Sequence, residues 1–248
     1  MPDNPAFSET PALVYNNILY RTGVLLSMSK KNRNRQSGLP FIVSAAAAIL
    51  YTVLVRMVDV QPIGPQNSEV GFARLNGWVF AKAGSHTLFY WLSEVLVIAA
   101  ILLAFLFALK GLVQMLRRRS IARVDSRILL LGAMFVLVIA TYFLFEKVII
   151  NYRPVLEDGV LEASFPSSHT MVTMTIFGCV RAFFKTEPGD NGLMQVLLLA
   201  GTVLAPLFRL LSGMHWVTDI IGGCLYSVMF IALYRTFLKT PKTGGQSR

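Results

Sequence analysis

Residues 193–238 read LMQVLLLAGTVLAPLFRLLSGMHWVTDIIGGCLYSVMFIALYRTFL. Two apolar runs, 193–211 and 216–238, are joined by a short turn at residues 212–214. Each run has the roughly 20 residues a helix needs to cross the hydrocarbon core of a bilayer. A spanning segment must also satisfy its backbone polar groups internally, which an uninterrupted helix does. The polar residues that break the pattern, Arg209, His215 and Asp219, all lie close to the turn.

Working outward, four more apolar runs meet or approach the same length: residues 39–58, 88–109, 128–145 and 169–184, the last being the shortest. The expected fold is therefore all-α, a polytopic membrane bundle of six transmembrane helices. Bulk composition agrees. Of the 248 residues 54% are hydrophobic and only 15% charged, with mean hydropathy +0.58. A soluble protein of this size needs more charge to cover its surface. The expected organisation is an N-terminal segment at 1–38, a six-helix membrane domain at 39–238 and a tail at 239–248. The opening segment is polar and ends in the basic cluster Lys30, Lys31, Arg33 and Arg35. The first apolar run thus reads as a retained signal-anchor helix rather than a cleaved leader.

The formal net charge is +10, but its distribution follows the membrane. All of the 23 Lys and Arg except Arg56, Arg74, Lys82, Lys147, Arg153 and Arg209 fall on one side of the six-helix arrangement, together with both termini. The positive-inside rule makes that side cytoplasmic. No basic face interleaved with stacking aromatics marks a nucleic-acid surface. Cys179 and Cys224 lie inside apolar stretches and read as small buried hydrophobes.

The opposite, outer side receives the loops 59–87 and 146–168 and the turn at 212–214. These carry Lys147, Arg153, the run Pro166-Ser167-Ser168-His169, Arg209 and His215, with Asp219 one helical turn further on. His215 and Asp219 are spaced i, i+4 and share a helix face. A carboxylate on one ring nitrogen selects a tautomer and leaves the other nitrogen to act as nucleophile or base. Arg209 near a helix end inside the membrane is costly unless it faces a polar cavity or an anion. Ser167 or Ser168 can cap the helix that follows, whose free amides attract anions, and His169 beside them can donate a proton. Taken together, these groups describe a phosphoryl-transfer site built from side-chain cations, without a carboxylate cluster for a metal ion. Glu94 near the outer end of the second helix is a possible lining residue. His86 and Trp78 fit an interfacial aromatic belt, and Glu157, Asp158 and Glu162 a solvated acidic loop.

Three segments carry a specific resemblance: KVIINYRP at 147–154, PSSH at 166–169 and FRLLSGMHWVTD at 208–219. They resemble, in order, the Lys-x6-Arg-Pro, Pro-Ser-Gly-His and Ser-Arg-x5-His-x3-Asp motifs of the type 2 phosphatidic acid phosphatase (PAP2) superfamily. The resemblance covers about residues 128–237. It implies that His215 attacks phosphorus and becomes a phosphohistidine, with Asp219 orienting it. His169 would protonate the leaving group. Arg153, Arg209 and Lys147, helped by Ser167, Ser168 and nearby amides, would bind the phosphate oxygens, with no metal or other cofactor. Departures are a first motif one residue short, with Glu146 at the lysine position, Ser168 in place of glycine, and Phe208 in place of serine.

The expected function is a metal-independent, integral-membrane lipid phosphatase working at the extracytoplasmic face, in a bacterial inner membrane with both termini cytoplasmic. Its substrate would be a phosphomonoester or diphosphate lipid, of the phosphatidic acid, phosphatidylglycerophosphate, undecaprenyl diphosphate or lipid A kind. The alternatives are a lipid phosphotransferase using the same phosphohistidine, and a non-catalytic membrane transporter or scaffold.

Overall fold

The computed structural model describes residues 38–189 and 191–238. The N-terminal segment and the C-terminal tail expected in the cytoplasm lie outside these residues, save for Gly38. Among the described residues, those from Pro40 to Leu238 form one compact unit.

Seven α-helices occur among the described residues: α1 (Leu39–Met57), α2 (Ala73–Ala83), α3 (Thr87–Arg118), α4 (Ser126–Lys147), α5 (Ser168–Phe184), α6 (Gly192–Leu211) and α7 (Val217–Phe237). Five of them, α1, α3, α4, α6 and α7, are long and apolar enough to cross a membrane. The remaining expected span is α5, which has only 17 residues. It packs against α3, α4, α6 and α7 and is buried along most of its length, including Thr170, Thr173 and Thr175. A helix wrapped by other helices meets little lipid, so it tolerates hydroxyl side chains and a shorter apolar run.

Two further differences have local causes. α3 runs 32 residues, to Arg118, because Lys110–Arg118 continues as good helix-forming sequence beyond the apolar stretch. The outer loop contains α2, where Leu75 and Trp78 are exposed and Asn76 is fully buried. At 11 residues it is too short for periodicity alone to separate it from the surrounding loop.

Helix ends are specified by side chains. Asp125 caps α4 by accepting from the Arg127 N–H at 2.9 Å, and Arg127 pairs with Asp125 and with Glu187, both at 2.6 Å. The Arg127 guanidinium holds the Asp125 carboxyl below the usual carboxylate range. That cluster ties α4 to the end of α5 at one end of the bundle. At the other end, Ser85 Oγ donates to the Ser212 carbonyl at 3.0 Å, and the His86 N–H donates to the Leu211 carbonyl at 3.1 Å. The start of α3 is thus fastened to the α6–α7 turn.

Gly71 sits where the outer loop crosses α1. A Cβ there would fall 1.6 Å from the Val55 carbonyl oxygen, and the Gly71 N–H donates to Asn151 Oδ1 at 3.0 Å. Backbone cannot yield as a flexible side chain would. Gly71→Ala is expected to destabilise the fold by about 1–3 kcal/mol, read as a lowered thermal midpoint in detergent. Gly132→Ala, where nothing lies within 4 Å of the added Cβ, serves as control.

Candidate active site

The α6–α7 turn, the start of α5 and the segment between α4 and α5 meet at one end of the bundle. α7 approaches closely because a Cβ at Gly223 would lie 2.9 Å from the Ser167 carbonyl oxygen, and the Ser167 N–H donates to the Asp219 carbonyl at 3.0 Å. The segment leading to α5 is pinned by the Ser164 N–H to the Asn151 carbonyl at 2.9 Å and the Arg153 N–H to the Glu162 carbonyl at 3.0 Å. Trp216 Nε1 donates to the Tyr152 carbonyl at 2.8 Å.

His215 is 2% exposed and Asp219 fully buried. Their closest approach, Nδ1 to Oδ2, is 3.9 Å, too long for a hydrogen bond. Ser164 bridges them. Its hydroxyl lies 3.0 Å from His215 Nδ1 and donates to Asp219 Oδ2 at 2.5 Å. A hydroxyl has one proton, so with that proton on Asp219 its lone pair accepts Nδ1–H. The order Nδ1–H, Ser164 O–H, carboxylate leaves Nε2 deprotonated and nucleophilic.

The Asp219 carboxylate is itself held by two donors besides Ser164. Its Oδ2 accepts from the Trp216 N–H at 3.0 Å, which also closes the first turn of α7. Its Oδ1 accepts from Asn151 Nδ2 at 3.1 Å. Asn151 is fixed in turn by Gly71, and Asn76 joins the network by donating to Thr218 Oγ1 at 2.9 Å.

Burial first, and then the positive charges of Arg209 and Arg153, hold the His215 imidazole well below the usual histidine range. It is therefore neutral at neutral pH, the form that can attack. Ser164→Ala removes the bridge and frees the ring to rotate and change tautomer. The expected cost is about 10- to 100-fold in activity, typical for losing the group that orients a functional histidine, with the thermal midpoint lowered by only a few degrees because the buried Nδ1–H loses its acceptor.

Arg209 is 1% exposed, and its Nη1 lies 3.2 Å from Glu94 Oε1. The same Glu94 oxygen lies 2.9 Å from His169 Nε2. Arg153 is paired with Glu157 and, through Nη2, with Glu162 at 3.2 Å, so the acidic loop is folded onto this cation instead of being free in solvent. Ser168 opens α5 and, with Arg153, Ser164, His215 and Glu146, lines a small cavity. Ser167 is fully buried and caps α5 instead, with its oxygen 3.5 Å from the Thr170 N–H and its hydroxyl directed to Thr170 Oγ1.

Lys147 is not among the residues that line that cavity; it is exposed at the last turn of α4, and its neighbour Glu146 lines the cavity instead. One residue along a helix is about 100° of rotation, so the shortened first motif swaps an acid for the base at this place.

Among the described residues, seven buried side-chain polar atoms have no hydrogen-bond partner. Four are Arg153 Nε, His169 Nδ1, Arg209 Nε and His215 Nε2. Buried polar atoms are nearly always satisfied, so this concentration on two arginines and two histidines marks groups arranged for an anion. Among the described residues no three His, Cys, Asp or Glu side chains are grouped as a metal ion would require.

Two residues central to this geometry had little signal in sequence. Ser164 is an unremarked serine before the second motif. Asn151 is a single polar residue within an apolar stretch, which is the one cue for it.

The PAP2 superfamily model matches residues 75–242, about two thirds of the chain, and spans all three motifs. The chain belongs to the PAP2 superfamily. No curated protein sequence matches it. Among solved structures, the fold is similar to that of the transmembrane PAP2-type phosphatidylglycerolphosphate phosphatase from Bacillus subtilis. The TM-score is 0.52 and the identity 19%, over 82% of this chain and 94% of the other.

Proposed function

We propose that the protein is an integral-membrane lipid phosphatase that works through a phosphohistidine on His215. Membership of the superfamily supports phosphatase chemistry. The observation that carries the mechanism is the group of four unpartnered buried nitrogens, one on each of Arg153, His169, Arg209 and His215.

In this reading Arg153 and Arg209 hold the phosphate oxygens, joined by Ser168 and the free amides at the start of α5. Ser167 contributes by fixing that start. Lys147 adds only general positive charge. Nε2 of His215 attacks phosphorus as the bond to the leaving oxygen breaks, and the proton on His169 passes to that oxygen. Water, deprotonated by His169, then releases phosphate from His215. Cationic side chains neutralise the charge, so no metal ion takes part.

An apolar groove between α3, α4 and α5, lined by residues including Phe105, Phe135, Val172 and Ile176, supports a lipid substrate. Val172 and Ile176 follow His169 at i+3 and i+7, on the same side of α5. The charge asymmetry supports an extracytoplasmic site with both termini cytoplasmic, and the plasma membrane of a bacterium is the setting we propose.

The test is phosphate release by the purified protein in detergent with EDTA. The panel is phosphatidic acid, phosphatidylglycerophosphate and undecaprenyl diphosphate. Release that survives the chelator supports the metal-free mechanism, and the lipid with the highest kcat/KM names the substrate. No release from any lipid overturns the phosphatase reading and turns attention to phosphate transfer onto another acceptor.

A further inference from the structure

We infer that Glu94 is the positioning residue of the proton-transfer histidine: it holds Nε2 of His169 and Nη1 of Arg209, and so commits Nδ1 of His169 to proton transfer. The inference rests on the phosphatase reading above and deepens it.

Glu94 belongs to none of the three motifs. It sits on α3, two turns in from the start of that helix, and reaches across to α5 and α6. A single oxygen, Oε1, lies 2.9 Å from His169 Nε2 and 3.2 Å from Arg209 Nη1. Ser93 beside it also accepts from Arg209 Nη1, at 3.4 Å. Arg209 thus keeps a second acceptor in Ser93 if Glu94 is lost, whereas the His169 ring has Glu94 as its one hydrogen-bond partner among the described residues.

The consequence for His169 follows from imidazole chemistry. A carboxylate only accepts, so the ring nitrogen facing it carries hydrogen whether the ring is neutral or cationic. Nε2–H therefore stays on Glu94 throughout, and the proton that comes and goes resides on Nδ1. That atom is buried and has no hydrogen-bond partner.

In the first step the bond from phosphorus to the leaving oxygen breaks and a bond from phosphorus to His215 Nε2 forms. The Nδ1 proton of His169 goes to the leaving oxygen. In the second step Nδ1 takes a proton from water as the water oxygen bonds to phosphorus, and the nitrogen–phosphorus electron pair returns to His215. Glu94 exchanges no proton in either step. Its work is orientation, and orientation matters most where the leaving oxygen is a poor leaving group.

The experiment compares Glu94→Ala and Glu94→Gln, each alone and combined with His169→Ala. Substrates are dioleoyl phosphatidic acid, whose departing diacylglycerol oxygen needs a proton, and p-nitrophenyl phosphate, whose phenolate does not. Glu94→Ala is expected to lower kcat/KM on the lipid by about 100-fold, within the usual range for general acid catalysis, and on the aryl ester by less than about 5-fold. Added to His169→Ala, it is expected to cost less than a further ~3-fold, because the residue it positions is already gone.

Glu94→Gln keeps size and one acceptor without the charge, and carries the comparison if the alanine variant fails to fold. Equal losses on both substrates, or an undiminished loss in the His169→Ala background, would overturn the inference in favour of a structural brace. If the aryl ester is not turned over, the double-variant comparison on the lipid alone decides. Wild-type protein inactive on every phosphate ester would sink the phosphatase reading itself, whereas active wild type with unaffected Glu94 variants would sink this inference alone.

Discussion

Purified His215→Ala protein is expected to release phosphate from no lipid in the panel, with kcat/KM at least about 10⁴-fold below wild type, as is usual on removing a covalent nucleophile. The size of the effect follows from how completely the structure is arranged around one atom. Nδ1 of His215 is engaged by Ser164 at 3.0 Å, Ser164 by Asp219 at 2.5 Å, and Asp219 by Asn151 and the Trp216 amide. All of this leaves Nε2 as the single free position of the ring. Alanine removes that atom and puts nothing in its place, while the network beneath keeps its remaining bonds. The variant should melt within a few degrees of wild type, so lost activity can be assigned to chemistry. A direct check is transient labelling by a 32P-phosphorylated lipid. Wild type should form an acid-labile, alkali-stable phosphoprotein, and His215→Ala should form none. Activity persisting in the variant at more than a hundredth of wild type would rule out His215 as the nucleophile.

Arg209→Lys is expected to lower kcat/KM by about 10²- to 10³-fold, comparable to losing a preorganised charge at a phosphoryl or oxyanion site. The substitution keeps a positive charge, which makes the test sharp. Arg209 has one edge occupied, Nη1 being shared between Glu94 and Ser93, while its Nε is unpartnered. A planar guanidinium can brace an acid with one nitrogen and bind an anion with another. A lysine ammonium is a single point and must choose. With Glu94 alongside, the ammonium should remain on the carboxylate and leave the phosphate one donor short. KM and kcat should both suffer, and detergent thermal melts should show little change. A loss below about 5-fold would mean that Arg209 serves the fold rather than the phosphate.

The membrane character, the all-helical class and the closeness of Arg209, His215 and Asp219 were legible in the residues. Hydropathy reports spanning helices well because a bilayer leaves few ways to satisfy the backbone. Arg209, His215 and Asp219 lie within 11 consecutive residues, so their proximity depends mainly on one turn and one helix. Sequence put Lys147 among the phosphate-binding residues, whereas the cavity lining holds Glu146 in its place, in keeping with about 100° of rotation per residue.

Other features came only from packing. α5 reads in sequence as the shortest of six spans, and only packing makes it the helix that α3, α4, α6 and α7 surround. The orienting contact of His215 passes through Ser164, since the backbone holds the Asp219 carboxylate 3.9 Å away. Glu94 stands 75 residues before His169 and 115 before Arg209. In sequence it is a lone acid near a helix end, and its reach is decided by how α3 lies against α5 and α6. Local spacing and the demands of lipid thus determined which residues could do the chemistry. Tertiary packing decided which atoms of those residues are held and which are left free, because hydrogen-bond geometry across helices depends on side-chain positions to fractions of an ångström, which no spacing rule along one chain encodes.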